Sequence, residues 1–344
     1  MSVHKATAIA PANIAFIKYW GVSNKKLIIP ANDSISMNLS NCVTTTTVEF
    51  SPLFEKDSVK IKFFEDAENI QNIKAQEISG KPLEKVMALI TRVRNIKQID
   101  WPVKIVSHNS FPANAGIASS ASGFAALTLA ASSALGLGWE HNKKKLSIET
   151  RLSGSGSACR SIVGGFAYWQ QGQDSDNSYA YQLHDINYWN LVDLVVVVSC
   201  ESKEISSKEG HVLAHTSPYY QARLQELPQR ICAIKEAMKQ KDFQTFGELL
   251  EQEAISLHTI CMTSRPPIFY INNKTFEIIE AVRSWRKEGL LGYFTIDAGP
   301  NLHIICQKKD AKKLQSKLQN LPSTLFTIVN TPCQGAKISD KHLF

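Results

Sequence analysis

Between residues 119 and 137 the chain reads SSASGFAALTLAASSALGL, rich in alanine and leucine and without a charged side chain. Such a segment favours helix, and Gly136 and Gly138 supply its stop. A helix that is apolar nearly all round has no face for water, so it has to lie between a sheet and other helices. The strands this requires are present. Residues 44–50 (TTTTVEF) and 59–64 (VKIKFF) are β-branched or alternating, and predict a hairpin around Pro52; residues 103–107 and 163–169 add further strands. Helical spacing covers 83–97 and 143–152, while the polar stretch 66–81 reads as a surface loop or lid.

The second half opens on the most apolar run, 191–199 (LVDLVVVVS). It is about half the length of a membrane span, carries Asp193 and reads as a buried strand. Helical patterns follow at 218–239, 243–259 and 275–288, then a strand pair (293–296 and 303–306), a helix near 311–318 and a strand at 324–329. A chain of 344 residues exceeds one ordinary core. The polar, aromatic stretch 177–189 divides it, giving expected domains 1–185 and 186–344, each an α+β sandwich.

Charge narrows the function. Lys and Arg number 38 against 31 Asp and Glu, a formal +7. The basic residues are dispersed, the run 143–145 reads as a solvated helix face, and no nucleic-acid motif occurs. A small anionic substrate accounts for the excess. Seven cysteines (42, 159, 200, 232, 261, 306, 333) without a C-x-x-C pair suit reduced thiols in a cytoplasm better than disulfides or zinc. The Ala-, Pro- and Asn-rich start runs into Lys18 and does not read as a signal peptide.

Four segments can carry chemistry. In 111–123 (FPANAGIASSASG) small residues precede the strong helix, so free N–H groups and the positive end of its dipole converge on one place that suits phosphate. Ser119 and Ser120 add hydroxyls for a phosphate oxygen or a magnesium ion; a packing helix with a serine cap reads equally well. In 153–161 (SGSGSACRS) alternate Gly and Ser leave the backbone open beside Arg160, whose planar fork fits a carboxylate or phosphate. Residues 297–301 (DAGPN) make a tight turn by themselves, and Asp297 matters only if it points into a site built by the other segments. In 11–21 (PANIAFIKYWG) Lys18 either faces inward or snorkels out of an amphipathic strand. His211 and His215, four apart without an accompanying carboxylate, read as surface histidines rather than metal ligands.

In this order across most of the chain, PANIAFIKYWG, FPANAGIASSASGFAAL, SGSGSACRSIVGGF and DAGPN resemble the mevalonate 5-diphosphate decarboxylase family of the GHMP kinase superfamily. The resemblance implies two α+β domains of GHMP kinase type with the site in the cleft between them, ATP and Mg²⁺ as requirements, a homodimer, and no nucleic-acid or membrane partner. It implies that ATP phosphorylates the 3-hydroxyl, after which loss of that phosphate and of C1 as CO2 leaves isopentenyl diphosphate.

Carried over by position, Asp297 lies near the 3-hydroxyl, Arg160 and Asn13 hold the C1 carboxylate, and Lys18 neutralises charge at the reacting centre. Ala115, Gly116, Ile117, Ala118, Ser119 and Ser120 cradle the ATP phosphates, with Ser120 reaching Mg²⁺ through them. Ser107 and Asn109 fall where the family meets the nucleotide. Tyr19, Ser155, Gly156, Ser157 and Lys208 face the 5-diphosphate.

Two positions depart from the family pattern. Val22 stands where IKYWG is usually followed by Lys, with Lys25 or Lys26 available from the same loop. Lys208 and His211 stand where Arg and Met are usual. Both changes fall at the 5-phosphate end, which makes a 5-monophosphate decarboxylase the nearest alternative; a kinase that stops at the 3-phosphate and a non-catalytic nucleotide sensor are the others.

Overall fold

The computed structural model describes residues 4–64, 73–112, 119–201 and 203–344. In chain order the elements are β1 (His4–Ile17), β2 (Val22–Asn24), β3 (Ile29–Pro30), β4 (Ser34–Phe50), β5 (Ser58–Phe64), β6 (Ile73–Glu77), α1 (Gly80–Lys97), β7 (Val103–Asn109), α2 (Ser119–Ala134), α3 (Lys143–Leu152), β8 (Phe166–Trp169) and β9 (Ala180–His184). Then come β10 (Leu191–Val197), α4 (Ser207–Leu213), α5 (Tyr220–Gln240), α6 (Phe243–Thr263), α7 (Asn273–Lys287), β11 (Gly292–Ile296), β12 (Leu302–Gln307), α8 (Lys308–Gln319), β13 (Phe326–Asn330) and β14 (Lys337–Ser339). A 3₁₀ helix at Gly156–Ile162 links α3 to β8.

Two sheets organise the chain. The first runs β14-β1-β4-β7-β5-β6, with β8 and β9 joined to the lower half of β4. The second runs β11-β12-β10-β13. α2 lies against β1 and β4 and buries Ala125, Ala126, Leu129 and Ala130 among Ala8, Val48 and Ile105, with α1 alongside. This is the place that its all-round apolar surface demands.

A second core joins the halves. Ile14, Phe16 and Met37 of the first sheet pack with Leu227, Ile234 and Phe246 of α5 and α6 and with Val195 and Tyr293 of the second. The Phe16 and Phe246 rings meet edge to face with centroids 5.0 Å apart. α7 and α8 cover the outer face of the second sheet, with Leu314 of α8 in the same core as Leu194 and Ile304.

Three expectations change. The hairpin around Pro52 does not form: β7 lies between β4 and β5, antiparallel to the first and parallel to the second. The connection crosses the start of β7, where Asp57 Oδ1 accepts the Val103 N–H at 2.8 Å and an Arg94 N–H at 2.5 Å. Two strands adjacent in sequence are thereby anchored one position apart. Of the stretch read as a loop or lid, residues 73–77 form β6 against β5 and α1 starts at Gly80, while 66–72 lie outside the described residues. Within 177–189 the chain forms β9, paired with β8. The second half matches closely, because its strands are short apolar runs and its helices strongly periodic.

Candidate active site

β1 leaves the first sheet at Ile17, and Lys18 follows at once. Its side chain is 1% exposed, and Nζ donates to Asp297 Oδ1 at 2.6 Å. Asp297 follows β11 in the second sheet, in a turn where its carbonyl accepts the Gly299 N–H at 2.8 Å. The strand ends of the two halves therefore meet in one ion pair. The Lys18 backbone is pinned as well: its N–H donates to Glu253 Oε1 at 2.9 Å, and its carbonyl accepts from Asn32 Nδ2 at 3.0 Å. Glu253 is fully buried on α6, with Arg223 at 2.5 Å and Arg230 at 2.8 Å on its two oxygens.

These contacts set the protonation states. Burial raises the Asp297 carboxyl, but the charge and hydrogen bond of Lys18 outweigh it and hold Asp297 below the usual carboxylate range. Burial lowers the Lys18 ammonium, against the opposing pull of Asp297. For Glu253 burial is likewise overcome by its arginines, so it stays ionised.

Arg160, 3% exposed, lies in the 3₁₀ helix. Its Nε donates to Asn13 Oδ1 at 3.0 Å and Nη1 to Ser34 Oγ at 2.7 Å. Asn13 is oriented in turn by donating to Ser161 Oγ at 2.9 Å and to the Ser157 carbonyl at 3.2 Å. Nη2 makes no hydrogen bond among the described residues, so the fork is fixed on one side and available on the other. Its charge reaches both Asp297 and Lys18.

Beside Arg160 opens a cleft of about 190 Å³. Tyr19, Ser120, Ser155, Gly156, Ser157 and Lys208 all line it, together with Val22 and Lys25. Lys85 of α1 adds a further ammonium, lowered by burial and by Lys208. No acidic side chain lines the cleft among the described residues, so it is an anion site by composition. The hairpin that carries Lys25 is tied down by buried Arg151, which donates to the Leu27 carbonyl. A Cβ on Gly156 would lie 2.8 Å from the Trp169 ring, so only glycine brings the serine loop this close.

His211 departs from the surface reading: it is half-buried, stacked on Tyr19 with ring centroids 4.0 Å apart, and close to Trp20 at 4.6 Å. Its Nδ1 accepts the Gly21 N–H at 3.0 Å, so that nitrogen carries no proton. Burial, with Arg160 nearby, pushes its pKa down to about 3. Gly21 has φ +93°, and a Cβ there would collide with the Tyr220 hydroxyl. His215 is exposed.

The remaining residues fall at the edge of this site or outside it. Ser107 and Asn109 lie on β7, bonded at 2.8 Å to Thr46 and Thr44; Thr44 Oγ1 also lies 2.6 Å from Ser122 Oγ of α2. Neither lines the cleft. Ser119 and Ser120 open α2, while Ala115, Gly116, Ile117 and Ala118 lie outside the described residues. Sequence reading missed Glu253, Ser34, Lys85 and Lys203, the last exposed, its ammonium lowered by partial desolvation and drawn up by Asp297. Only Glu253 left a signal, as an acid on the apolar stripe with Leu250, Ala254 and Leu257. No group of three His, Cys, Asp or Glu able to hold a metal occurs among the described residues, and no helix among them is long and apolar enough to cross a membrane.

The chain is similar to known proteins in sequence and fold. The family model "Diphosphomevalonate decarboxylase-like N-terminal domain" matches residues 10–180, and "Mevalonate 5-diphosphate decarboxylase C-terminal domain" matches 193–339. The diphosphomevalonate decarboxylase of Debaryomyces hansenii is 36% identical over 324 residues, covering 91% of this chain and 82% of the yeast protein. The crystal structure of mevalonate diphosphate decarboxylase from Staphylococcus aureus superposes with a TM-score of 0.89 at 35% identity, covering 98% of this chain and 99% of that one. The structure of MDDEF in complex with MVAPP, AMPPCP and magnesium gives 0.88 at 32% identity, covering 99% and 100%. With both halves matched in order and the fold shared end to end, this chain belongs to the diphosphomevalonate decarboxylase family.

Proposed function

We propose that the chain catalyses the ATP-dependent decarboxylation of (R)-mevalonate 5-diphosphate to isopentenyl diphosphate, with CO2, ADP and phosphate as the other products. The observation that carries this is the Lys18–Asp297 pair, made from the two halves of the chain, with the half-occupied Arg160 fork within electrostatic reach. Relatives named diphosphomevalonate decarboxylase and a related structure holding MVAPP, AMPPCP and magnesium support the same reading.

Asp297, kept ionised by Lys18, accepts the proton of the 3-hydroxyl as that oxygen bonds to the γ-phosphorus of ATP and the bond to ADP breaks. The C3–O bond then breaks with its electron pair leaving on phosphate. The C1–C2 bond breaks next, and its electrons form the C2=C3 double bond as CO2 departs. A tertiary hydroxide is a poor leaving group and phosphate a good one, which is why the first step is needed. Arg160 and Asn13 orient the C1 carboxylate, and Lys18 offsets negative charge on the departing group. Tyr19, Ser155, Gly156, Ser157, Lys25, Lys85 and Lys208 bind the 5-diphosphate. Ser107, Asn109, the 115–118 backbone, Ser119 and Ser120 bind the nucleotide.

Hydroxyls and ammonium groups around the cleft fit phosphate oxygens, and Ser120 would be the protein contact of a magnesium ion carried by those phosphates. Bound magnesium would neutralise charge on the triphosphate. The reading includes a cytoplasmic homodimer of domains 1–185 and 186–344, supported for the compartment by cysteines that form no disulfide. CO2 release with ATP and magnesium, measured in parallel on mevalonate 5-diphosphate and 5-phosphate, tests the function. Release from the diphosphate supports it; release mainly from the monophosphate, or ADP without CO2, overturns it.

A further inference from the structure

Three successive residues close on the ring of His211 in α4. Tyr19 stacks on it with centroids 4.0 Å apart and planes at 28°, the Trp20 ring lies 4.6 Å away, and the Gly21 N–H donates to Nδ1 at 3.0 Å. The preceding Gly210 permits this approach, since a Cβ there would lie 2.6 Å from the Trp20 ring. Tyr19 in turn meets the Trp169 ring at 4.7 Å, and a Cβ on Gly156 would lie 3.0 Å from it. Packing and a hydrogen bond therefore fix His211 in the wall of the cleft, which it lines together with Lys25, Lys208, Ser155 and Ser157.

Fixing Nδ1 decides the rest of the ring. A backbone N–H can only donate, so Nδ1 is the acceptor, and in a neutral imidazole the proton then sits on Nε2. Burial, with a smaller contribution from the Arg160 charge, keeps the ring neutral. Nε2 makes no hydrogen bond among the described residues and is not sealed from solvent. A fixed N–H donor is thus available in a cleft with no carboxylate among its described lining residues to receive it. An anion supplies the acceptor. The methionine usual in the family at this position would fill similar space with a sulfur that donates nothing. His211 and Val22 are then paired departures at one end of the cleft, Val22 removing a donor and His211 adding one.

Resting on the reaction proposed above, we infer that His211 is a substrate-binding residue: its Nε2–H donates to a phosphate oxygen of the 5-diphosphate and supplies part of the contact that a lysine at position 22 would make. The bond is directional and charge-assisted, and it adds no positive charge to a cleft already lined by Lys25, Lys85 and Lys208. The same ring holds the Tyr19–Gly21 segment against α4, so one side chain serves both the substrate and the backbone that follows Lys18.

The test separates the two ends of the ring in the full-length enzyme. In His211→Asn the side-chain oxygen can replace Nδ1 and keep the Gly21 bond, but no atom reaches the Nε2 position; in His211→Gln the longer amide presents its N–H there. Measured are kcat, KM for the diphosphate and for ATP, Tm, and a direct titration with mevalonate 5-diphosphate in the absence of nucleotide. Asn raises KM and Kd for the diphosphate about tenfold, with kcat and KM for ATP changed less than about twofold. Gln recovers most of the loss. Wild-type KM and Kd in His211→Asn overturn the inference, as does an equal loss in Asn and Gln that tracks Tm, which would make the ring a packing group alone. If the Asn variant does not fold, the wild type decides: the His211 Nε2–H proton resonance, assigned by its absence in His211→Gln, moves downfield as the diphosphate is added, and an unmoved resonance overturns the inference. A wild type that binds the diphosphate without releasing CO2 overturns the reaction instead, while the titration still decides this contact, so the two failures are distinguishable.

Discussion

Lys18 and Asp297 are 2.6 Å apart yet unequally sheltered, the lysine side chain 1% exposed and the aspartate 28%. Breaking the pair is therefore predicted to be asymmetric. Asp297→Asn leaves a sealed ammonium without its counter-charge, at a cost of about 3–5 kcal/mol. Lys18→Met leaves a carboxylate that water can reach, and costs less. Urea unfolding of the two variants checks the order. In activity, Asp297→Ala abolishes turnover while ATP still binds; activity within about tenfold of wild type, only ~1.4 kcal/mol of barrier, removes Asp297 from the chemistry.

Arg160→Lys keeps the charge and loses the fork. A lysine reaches Asn13 or Ser34 but not both while still presenting a donor to substrate. A fall in kcat/KM of about a hundredfold or more is expected, with nucleotide affinity unchanged. Steady-state kinetics beside nucleotide titration by fluorescence separates the two.

Lys25 lines the cleft with Val22 while Lys26 is not among its lining residues, so Lys25 is the one expected to stand in for the missing lysine. Lys25→Ala and Lys208→Ala should each raise KM for the diphosphate about tenfold, with kcat much less affected, and both effects should shrink as salt is added. Val22→Lys in the Lys25→Ala background should recover the loss. Unchanged KM in both alanine variants would move the diphosphate out of this cleft.

Acid should weaken the fold before the carboxylates titrate. His211 and His258 are held neutral down to pH values of about 3 and 4, whereas in the unfolded chain they protonate near pH 6.5. Between those values the unfolded state binds the extra protons, so stability falls as pH falls from about 6.5 toward 4, by on the order of 1–2 kcal/mol per histidine at pH 5. The Lys18–Asp297 pair adds to this only lower, since a depressed carboxyl loses its contribution as pH drops through its folded value. Tm at pH 7.5 and pH 5 measures the drop, and His211→Asn should reduce it.

How much was legible depends on the range of the interactions. Lys18, Asp297, Arg160 and Asn13 could be named from sequence because each sits in a short motif of distinctive composition, and the structure brings all four together. Local periodicity placed α2, α3 and the apolar β10. The β4–β5 hairpin failed because β7, which comes after β6 and α1 in the chain, pairs between the two, a long-range choice that adjacency does not show. Glu253, Ser34 and Lys85 were missed for the same reason: their meaning lies in a partner far along the chain. His211 was misread because nothing in a helical i, i+4 pattern tells that Tyr19 and Trp20 cover it.

The last strand has a consequence for how the molecule is made. β14 pairs with β1, Thr7 Oγ1 is 2.7 Å from His342 Nδ1, and the Leu343 N–H donates to Thr47 Oγ1 at 2.9 Å. One edge of the first sheet is thus closed by residues synthesised more than three hundred positions later. During translation that edge waits, unpaired, until residues 337–343 have been made. A fragment ending at the boundary between the sheets would expose β1 along this side, so the first sheet cannot be completed by its own half of the chain.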